Sequence, residues 1–365
     1  MLVVHCGRRS RPQFNLLIME KLNKIELSKS ALKAGGGVEF VSYQQFGPPL
    51  HSAPVVVVLH ALSGNSNVSG ANGWWNGLIG SGKTINTDHL TVIAFNVPGN
   101  GYDGQLLENP YAYRLGSVAL WIFEALDHLK IKQAHAVIGG SLGGCLAWQL
   151  VAQRPDFFRH LIPIAAHWKA SPWVVAQGIV QDRILSNSNA PIKDARMHAM
   201  TFYRNPGAFQ VKFSNDDGAA AAASTYDWLH YHGGALKDRF ALSAYKFMNW
   251  LLTTHEITDG ERRIETTLKA FSGRLHLVGI QDDLLYTEDD ILKTAYLAKE
   301  LGLEVDHYTI RTDQGHDAFL IEQRQLSQFL FDIFNVSTLK NENYELSESP
   351  RQFIDPNGKN RSRSH

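Results

Sequence analysis

Short apolar or β-branched runs recur along the chain and alternate with segments of helical periodicity. Val55–Leu59 (VVVVL) is apolar at every position, and such a run is typical of a strand buried on both faces of a parallel sheet. Further strands are predicted at Leu90–Asn96, Ala134–Ile138, Leu161–Ala165, Leu275–Gly279 and Val305–Ile310. Helical patterns lie at Leu115–Leu129, Leu142–Gln153 and Glu288–Leu301. Strands that alternate with helices predict an α/β fold, with a mostly parallel sheet and helices on both faces.

The alternation stops between residues 167 and 263. This stretch contains no strand-like run and is rich in helical patches with Trp, Tyr and His. We therefore interpret 167–263 as a helical cap inserted into an α/β core, which would comprise residues 38–166 and 264–335. Residues 1–37 are interpreted as an N-terminal extension with a first strand. Residues 336–365 are polar and are interpreted as a C-terminal tail.

Composition excludes several classes of protein. Lys and Arg together number 35, as do Asp and Glu, so the charge balance indicates neither a nucleic-acid partner nor an anionic membrane surface. The two cysteines, Cys6 and Cys145, form no metal-binding motif or disulfide framework. No apolar run reaches the roughly 18 residues of a membrane-spanning helix. We expect a cytoplasmic protein without a metal or a bound cofactor.

One short motif carries chemistry. Gly139-Gly140-Ser141-Leu142-Gly143 matches G-x-S-x-G and lies between a predicted strand and a predicted helix. In that context the motif is a nucleophile elbow, a sharp turn that exposes a serine Oγ above the sheet. The alternative is a glycine-rich turn with an incidental serine. We predict that Ser141 is a nucleophile.

A serine nucleophile needs a base and an acid. In the α/β-hydrolase fold, which carries this elbow, the three residues follow along the chain in the order Ser, Asp, His. His316 follows the last predicted strand, where the fold places its base; His255, His276 and His307 fall in a helix or in strands and fit less well. Asp282-Asp283 follows the preceding strand. One of the two should orient His316, and position alone does not decide between them.

An oxyanion hole needs backbone amides directed at the developing negative charge. Leu142 follows the nucleophile, and Leu62 lies in the loop after the first core strand. We predict that these two amides form the hole. For the Leu62 loop the alternative is an ordinary turn between a strand and a helix.

Several longer stretches make the chain resemble the homoserine O-acetyltransferase family of α/β-hydrolase-fold acyltransferases. They are HALSGNS at 60–66, GWWNGLIGSGKTINTDHLTVIAFN at 73–96, GGSLGG at 139–144 and GHDAFL at 315–320. The family's D-x-L-[FY] string matches Asp283 through Tyr286 and favours Asp283 as the acid. Its A-R…T-Y-R stretch matches Ala195-Arg196 and Tyr203-Arg204. The resemblance implies that Arg196 binds the substrate carboxylate, that Tyr203 lies beside it and that Asp317 binds the ammonium group.

The implied activity is ping-pong transfer of an acetyl group from acetyl-CoA, as a substrate, to the hydroxyl of L-homoserine in methionine biosynthesis. The expected partners are these small molecules, with no nucleic acid or membrane, and the family suggests a homodimer through the cap. Two segments, 96–104 and 240–245, depart from the family pattern where substrates would be selected. An esterase or thioesterase, a succinyl donor and a serine acceptor are therefore alternatives.

Overall fold

One large β-sheet forms the centre of the protein in a computed structural model that describes residues 22–28, 38–258 and 263–335. Within these residues eight strands pair in the order β1-β2-β6-β3-β7-β8-β9-β10, and β4 and β5 form a separate parallel pair. The strands are β1 (Asn23–Glu26), β2 (Phe40–Phe46), β3 (Val55–Leu59), β4 (Ile79–Gly80), β5 (Ile85–Asn86), β6 (Thr91–Phe95), β7 (Ala134–Gly140), β8 (Phe158–Ile164), β9 (Arg274–Ile280) and β10 (Val305–Ile310). Two neighbouring pairs are antiparallel, β1 with β2 and β2 with β6; the other neighbours in this sheet are parallel.

Helices lie between the later strands and after the last one. They are α1 (Leu115–His128), α2 (Leu142–Gln153), α3 (Pro172–Asn187), α4 (Pro191–Tyr203), α5 (Pro206–Lys212), α6 (Gly218–Lys237), α7 (Leu242–Thr254), α8 (Ile264–Ala270), α9 (Glu288–Glu300), α10 (Ala318–Ile321) and α11 (Gln323–Phe334). Helices α3 to α8 lie between β8 and β9, and α3 to α7 fall within the stretch 167–263 interpreted as a cap. Proline opens α3, α4 and α5, because its fixed φ suits a first helical position where the missing N–H costs nothing.

The core lies on both faces of the sheet, and β3 shows why its sequence is apolar throughout. Val55, Val57 and Leu59 pack into one cluster with α1, α2 and α9, whereas Val56 and Val58 pack into a second cluster with α11. Burying such a side chain contributes about 1.5–3 kcal/mol. The predicted α/β class, with a mostly parallel sheet between helices, is confirmed.

The strands β2, β4 and β5 were not predicted. In β2 the reason is a buried polar network, which breaks the apolar pattern. Ser42 donates to Asp103 at 2.5 Å, Asn96 donates to Ser42 at 2.9 Å, and Ser66 donates to Gln44 at 2.7 Å. Buried polar groups are tolerated when they are hydrogen-bonded in this way.

Some boundaries and segments differ from the expectations. β8 begins at Phe158 rather than Leu161, because its first residues continue the pairing with β7. Residues 1–21 and 29–37 of the expected extension, and the expected tail at 336–365, lie outside the described residues. In the part of the chain that is described, no helix is both long and apolar enough to cross a bilayer.

Candidate active site

Ser141 lies in the sharp turn between β7 and α2. Its backbone has φ 55° and ψ −125°, a conformation that side-chain-bearing residues rarely adopt and that costs about 1–3 kcal/mol. The turn is held from the neighbouring strand, since the Ser141 amide donates to the carbonyl of Ile164 at 2.9 Å. A strained serine at the end of a central strand is the geometry of a nucleophile elbow.

The glycines of the motif are required by close backbone contacts. A Cβ on Gly139 would lie 2.4 Å from the carbonyl carbon of Gly143, and a Cβ on Gly143 would lie 2.2 Å from the carbonyl oxygen of Leu59. A Cβ on Gly140 would lie 2.4 Å from the ring of Phe319. The strand, the helix start and the end of β3 therefore meet at distances that only glycine permits.

The structure brings Ser141, His316 and Asp283 into one hydrogen-bonded chain. The His316 Nε2 lies 2.8 Å from the Ser141 Oγ, and the His316 Nδ1 lies 2.8 Å from the Asp283 Oδ2. All three residues are buried. An ionised carboxylate only accepts hydrogen bonds, so Nδ1 carries the proton and Nε2 is left to accept from the serine hydroxyl. This arrangement can deprotonate Ser141 as it attacks an acyl carbon.

Of the two adjacent aspartates, Asp283 is the one that contacts His316. Its second carboxylate oxygen accepts hydrogen bonds from the amides of Leu285 and Tyr286 at 2.7 and 3.1 Å. Asp282 has φ 56° and an exposed side chain. The left-handed turn at Asp282 therefore directs the two carboxylates to opposite sides, one to solvent and one to the histidine.

The electrostatic environment favours the protonated form of His316. Burial alone would lower the pKa of His316, but the Asp283 carboxylate, with a smaller contribution from Asp317, raises it above its ordinary value. The neutral imidazole that acts as a base is therefore favoured at a higher pH than in an unperturbed histidine.

The two predicted oxyanion residues flank the contact between the start of α2 and the end of β3, where a Cβ on Gly143 would lie 2.2 Å from the Leu59 carbonyl oxygen. Leu142 is the first residue of α2, where helix amides have no acceptor within the helix. Leu62 lies in the loop after β3, which turns through a hydrogen bond from Gly64 to Ala61 at 2.9 Å. Arg239 of the cap donates to the Ser63 carbonyl in the same loop at 2.8 Å. The loop is thus fixed beside the nucleophile, and the role of both amides stays a prediction.

Tyr203 and Asp317, which the family resemblance places at the substrate, lie near His316, and Arg196 contacts Tyr203. The arrangement differs from the expected one in that Asp317 is paired with an arginine. The Tyr203 ring centroid is 5.6 Å from that of His316, and the Arg196 guanidinium lies 5.2 Å over the Tyr203 ring. Burial raises the pKa of Tyr203 to about 12, with Arg196 opposing the rise. Asp317 forms an ion pair with Arg204, at 3.5 Å from its Nε to Oδ2. The carboxylate expected to bind an ammonium therefore already has a cationic neighbour.

Supporting residues that the sequence did not single out also hold the triad. The indole of Trp75, in the GWW segment, donates to the Phe319 carbonyl at 2.9 Å, and Phe319 packs edge-on against His316. Tyr286 contacts Asp283 through its amide, and its hydroxyl lies 3.2 Å from the Cys145 Sγ. The only sequence signal for these residues was their membership of family-like segments.

The model of the alpha/beta hydrolase fold family matches residues 54–276, well over half of the chain. The chain belongs to the alpha/beta hydrolase fold family. The homoserine O-acetyltransferase of Sulfurimonas autotrophica is 28% identical, over 81% of this chain and 92% of its own length. This α/β hydrolase also resembles solved structures. Esterase E22 has a TM-score of 0.76 at 15% identity, covering 86% of this chain and 99% of its own. The homoserine O-acetyltransferase of Staphylococcus aureus has a TM-score of 0.73 at 22% identity, covering 87% and 95%.

These similarities confirm the resemblance to homoserine O-acetyltransferases, and they support the expectation of an enzyme of that kind. The structural neighbours include both an acetyltransferase and an esterase, so likeness of fold does not separate transfer from hydrolysis. Among the described residues, no group of three His, Cys, Asp or Glu side chains could hold a metal ion.

Proposed function

We propose that this α/β hydrolase is an acyltransferase that moves an acetyl group from acetyl-CoA to the hydroxyl of L-homoserine through an acyl-Ser141 intermediate. The observation that carries the proposal is the arrangement of the cap over the triad. The Tyr203 ring packs beside the His316 ring, the Arg196 guanidinium lies over Tyr203, and the Asp317 carboxylate acts on the charge of His316, which together offer one phenol, one cation and one carboxylate. A simple esterase has no use for such a set, whereas an amino-acid substrate does.

Arg196 is suited to a substrate carboxylate because its guanidinium is free. Among the described residues it forms no hydrogen bond or ion pair, and its contact is with the Tyr203 ring. A planar guanidinium can bind a carboxylate through two parallel hydrogen bonds. With the carboxylate so fixed, the ammonium group would contact Asp317, which shares its charge with Arg204, and the hydroxyl would lie towards His316.

The proposal divides the reaction into two half-reactions. In the first, the Ser141 Oγ attacks the thioester carbonyl, His316 Nε2 takes the serine proton, and the tetrahedral oxyanion accepts hydrogen bonds from the Leu62 and Leu142 amides. The carbon–sulfur bond then breaks, and the proton on His316 passes to the CoA thiolate. In the second, the homoserine hydroxyl gives its proton to His316 and attacks the acyl carbon, and Ser141 leaves and recovers a proton.

The burial of the triad supports transfer over hydrolysis. Ser141 is 5% exposed and His316 is 2% exposed, and excluding water protects an acyl-enzyme until the acceptor binds. An esterase or thioesterase remains the alternative, together with a succinyl donor or a serine acceptor.

Release of free thiol from acetyl-CoA, with and without L-homoserine, tests the proposal. We expect release that depends on homoserine and is lost in Ser141→Ala, while Ser272→Ala, an exposed serine outside the site, behaves as wild type. Succinyl-CoA and L-serine are run in parallel as donor and acceptor.

Continued thiol release without any acceptor, beyond the single equivalent that formation of the acyl-enzyme gives, or turnover of simple esters alone, would replace the proposal with the hydrolase alternative. Full activity in Ser141→Ala would overturn the mechanism.

A further inference from the structure

A small pocket lies in the cap directly behind the loop that carries His316. Its volume is about 190 Å³, and its lining includes Arg204, Phe209, Lys212, Trp228 and Gln314. None of these side chains takes part in the triad. The pocket combines aromatic walls with cationic groups, and nothing in the acyl-transfer steps above uses it.

The aromatic walls come from α5 and α6. The Phe209 and Trp228 rings meet edge-on at 5.4 Å between centroids, and Phe213 packs 6.4 Å from Trp228. Both Phe209 and Trp228 are half-buried, so part of each ring stays open to a ligand. A flat π-system of purine size could stack there, because base–aromatic stacking tolerates any planar base.

The cations of the pocket outnumber its carboxylates. The Lys212 ammonium is exposed and lies 5.7 Å from the Trp228 ring. The Arg204 Nε is buried and makes no hydrogen bond within the described part of the chain, although Asp317 lies 3.5 Å away. The pKa of His232, which packs on Trp228, is lowered by burial and then by Arg196, Arg204 and Lys212, with Asp317 opposing. The field in this part of the cap is therefore positive and suits an anion.

The pocket and the catalytic centre share a short backbone segment, residues 314–316. Gln314 lines the pocket and accepts a hydrogen bond from Arg204. His316 is two residues further on, and two residues span at most about 7 Å. Gly315 between them has φ 68°, and a Cβ there would lie 2.7 Å from the Asn205 amide nitrogen. A ligand in the pocket would thus lie beside the loop that positions the base, without occupying the acyl site.

We propose that the pocket formed by Phe209, Trp228, Lys212 and Arg204 binds the adenine nucleotide end of the acyl-CoA donor. The base stacks on Trp228 and Phe209, and the phosphates contact Lys212 and Arg204. This inference rests on the proposed acyl-CoA donor, and it assigns the nucleotide a site separate from the one that holds the amino acid.

The test compares two donors that differ only in the nucleotide, acetyl-CoA and S-acetylpantetheine. We expect Lys212→Ala and Trp228→Ala each to lower the ratio of kcat/KM for acetyl-CoA to that for S-acetylpantetheine about tenfold, which corresponds to about 1.4 kcal/mol. Lys237→Ala and Tyr226→Ala change exposed residues of α6, the helix that carries Trp228, and should keep the wild-type ratio. An unchanged ratio in Lys212→Ala and Trp228→Ala, with both donors turned over, would overturn the pocket assignment while leaving acyl transfer intact.

Equilibrium binding of adenosine 3′,5′-bisphosphate, followed by calorimetry, separates this inference from the proposed function. Binding that is weakened in Trp228→Ala but not in Tyr226→Ala supports the pocket even if acetyl-CoA is not turned over. Competition by adenosine 3′,5′-bisphosphate against acetyl-CoA but not against S-acetylpantetheine identifies the donor as the source of the nucleotide. Binding that is equal in wild type and Trp228→Ala would place the nucleotide elsewhere.

Discussion

Replacing Asp283 with asparagine changes a single atom behind the His316 ring. The asparagine carbonyl can still accept the two hydrogen bonds that Asp283 receives from the amides of Leu285 and Tyr286. Its NH₂ group then faces His316 Nδ1, which must become an acceptor. The proton moves to Nε2, where the imidazole donates to Ser141 instead of accepting from it. The fold is kept, and the base is in the wrong tautomer.

The size of the effect follows from that tautomer. In a serine protease triad the same change lowers kcat by about 10⁴-fold. We expect a loss of similar order here because His316 makes the same two contacts as the histidine of that triad, one to the acid and one to the serine, each at 2.8 Å. The pH profile should change as well. Asp283 is what outweighs burial and raises the pKa of His316. In wild type, kcat/KM should fall as the pH drops through that raised pKa, and in Asp283→Asn the remaining activity should persist to lower pH.

Initial rates of thiol release over a range of pH measure both effects. Asp282→Asn is the matched control, since that neighbouring carboxylate is exposed, and it should behave as wild type in rate and profile. Retention of more than about a tenth of wild-type kcat in Asp283→Asn, or an equal loss in Asp282→Asn, would refute the role assigned to Asp283; a tautomer error costs far more than that.

Three further outcomes are expected. Gly143→Ala should fail to fold, or lose several kcal/mol of unfolding free energy in a denaturant titration, because its Cβ would lie 2.2 Å from the last carbonyl of β3. The control is Gly234→Ala, in a helix where a Cβ would meet nothing within 4 Å. It should gain up to about 1 kcal/mol of unfolding free energy. Arg196→Leu should raise KM for L-homoserine roughly 10- to 100-fold, as expected for a charged hydrogen bond of about 1.5–3 kcal/mol, whereas Arg183→Leu on the exposed face of α3 should not. We propose a homodimer through the cap, so Tyr231→Glu, at a side chain 71% exposed on α6, should shift sedimentation to the monomer; a monomeric wild type would contradict it.

Much of this protein follows from local pattern. The six predicted core strands and three predicted helices all appear in the structure within a few residues of their expected bounds. In β3 the reason is that a strand buried on both faces must be continuously apolar. The elbow could be found in the same way, since its glycines are imposed by contacts that no side chain would fit.

What the local pattern missed depended on distant partners. β2 carries buried Ser42 and Gln44, which are tolerated only because Asn96, Ser66 and Asp103 complete their hydrogen bonds from other parts of the chain. A periodicity measured along one segment cannot register partners that come from elsewhere.

The same distinction separates the parts of the active site. The sequence by itself determined that a serine, an acid and a histidine would meet at one edge of the sheet, because their order and the strands before them are local features. Position along the chain left Asp282 and Asp283 open, the family string favoured Asp283, and the structure places the Asp283 carboxylate against His316. Only the tertiary structure decided that Arg204 neutralises part of the charge on Asp317, and that an aromatic and cationic pocket lies behind the histidine loop. Each of these features depends on which way a side chain points in the folded protein. That orientation is set by contacts with residues distant in the sequence, so it cannot be read from the neighbouring residues along the chain.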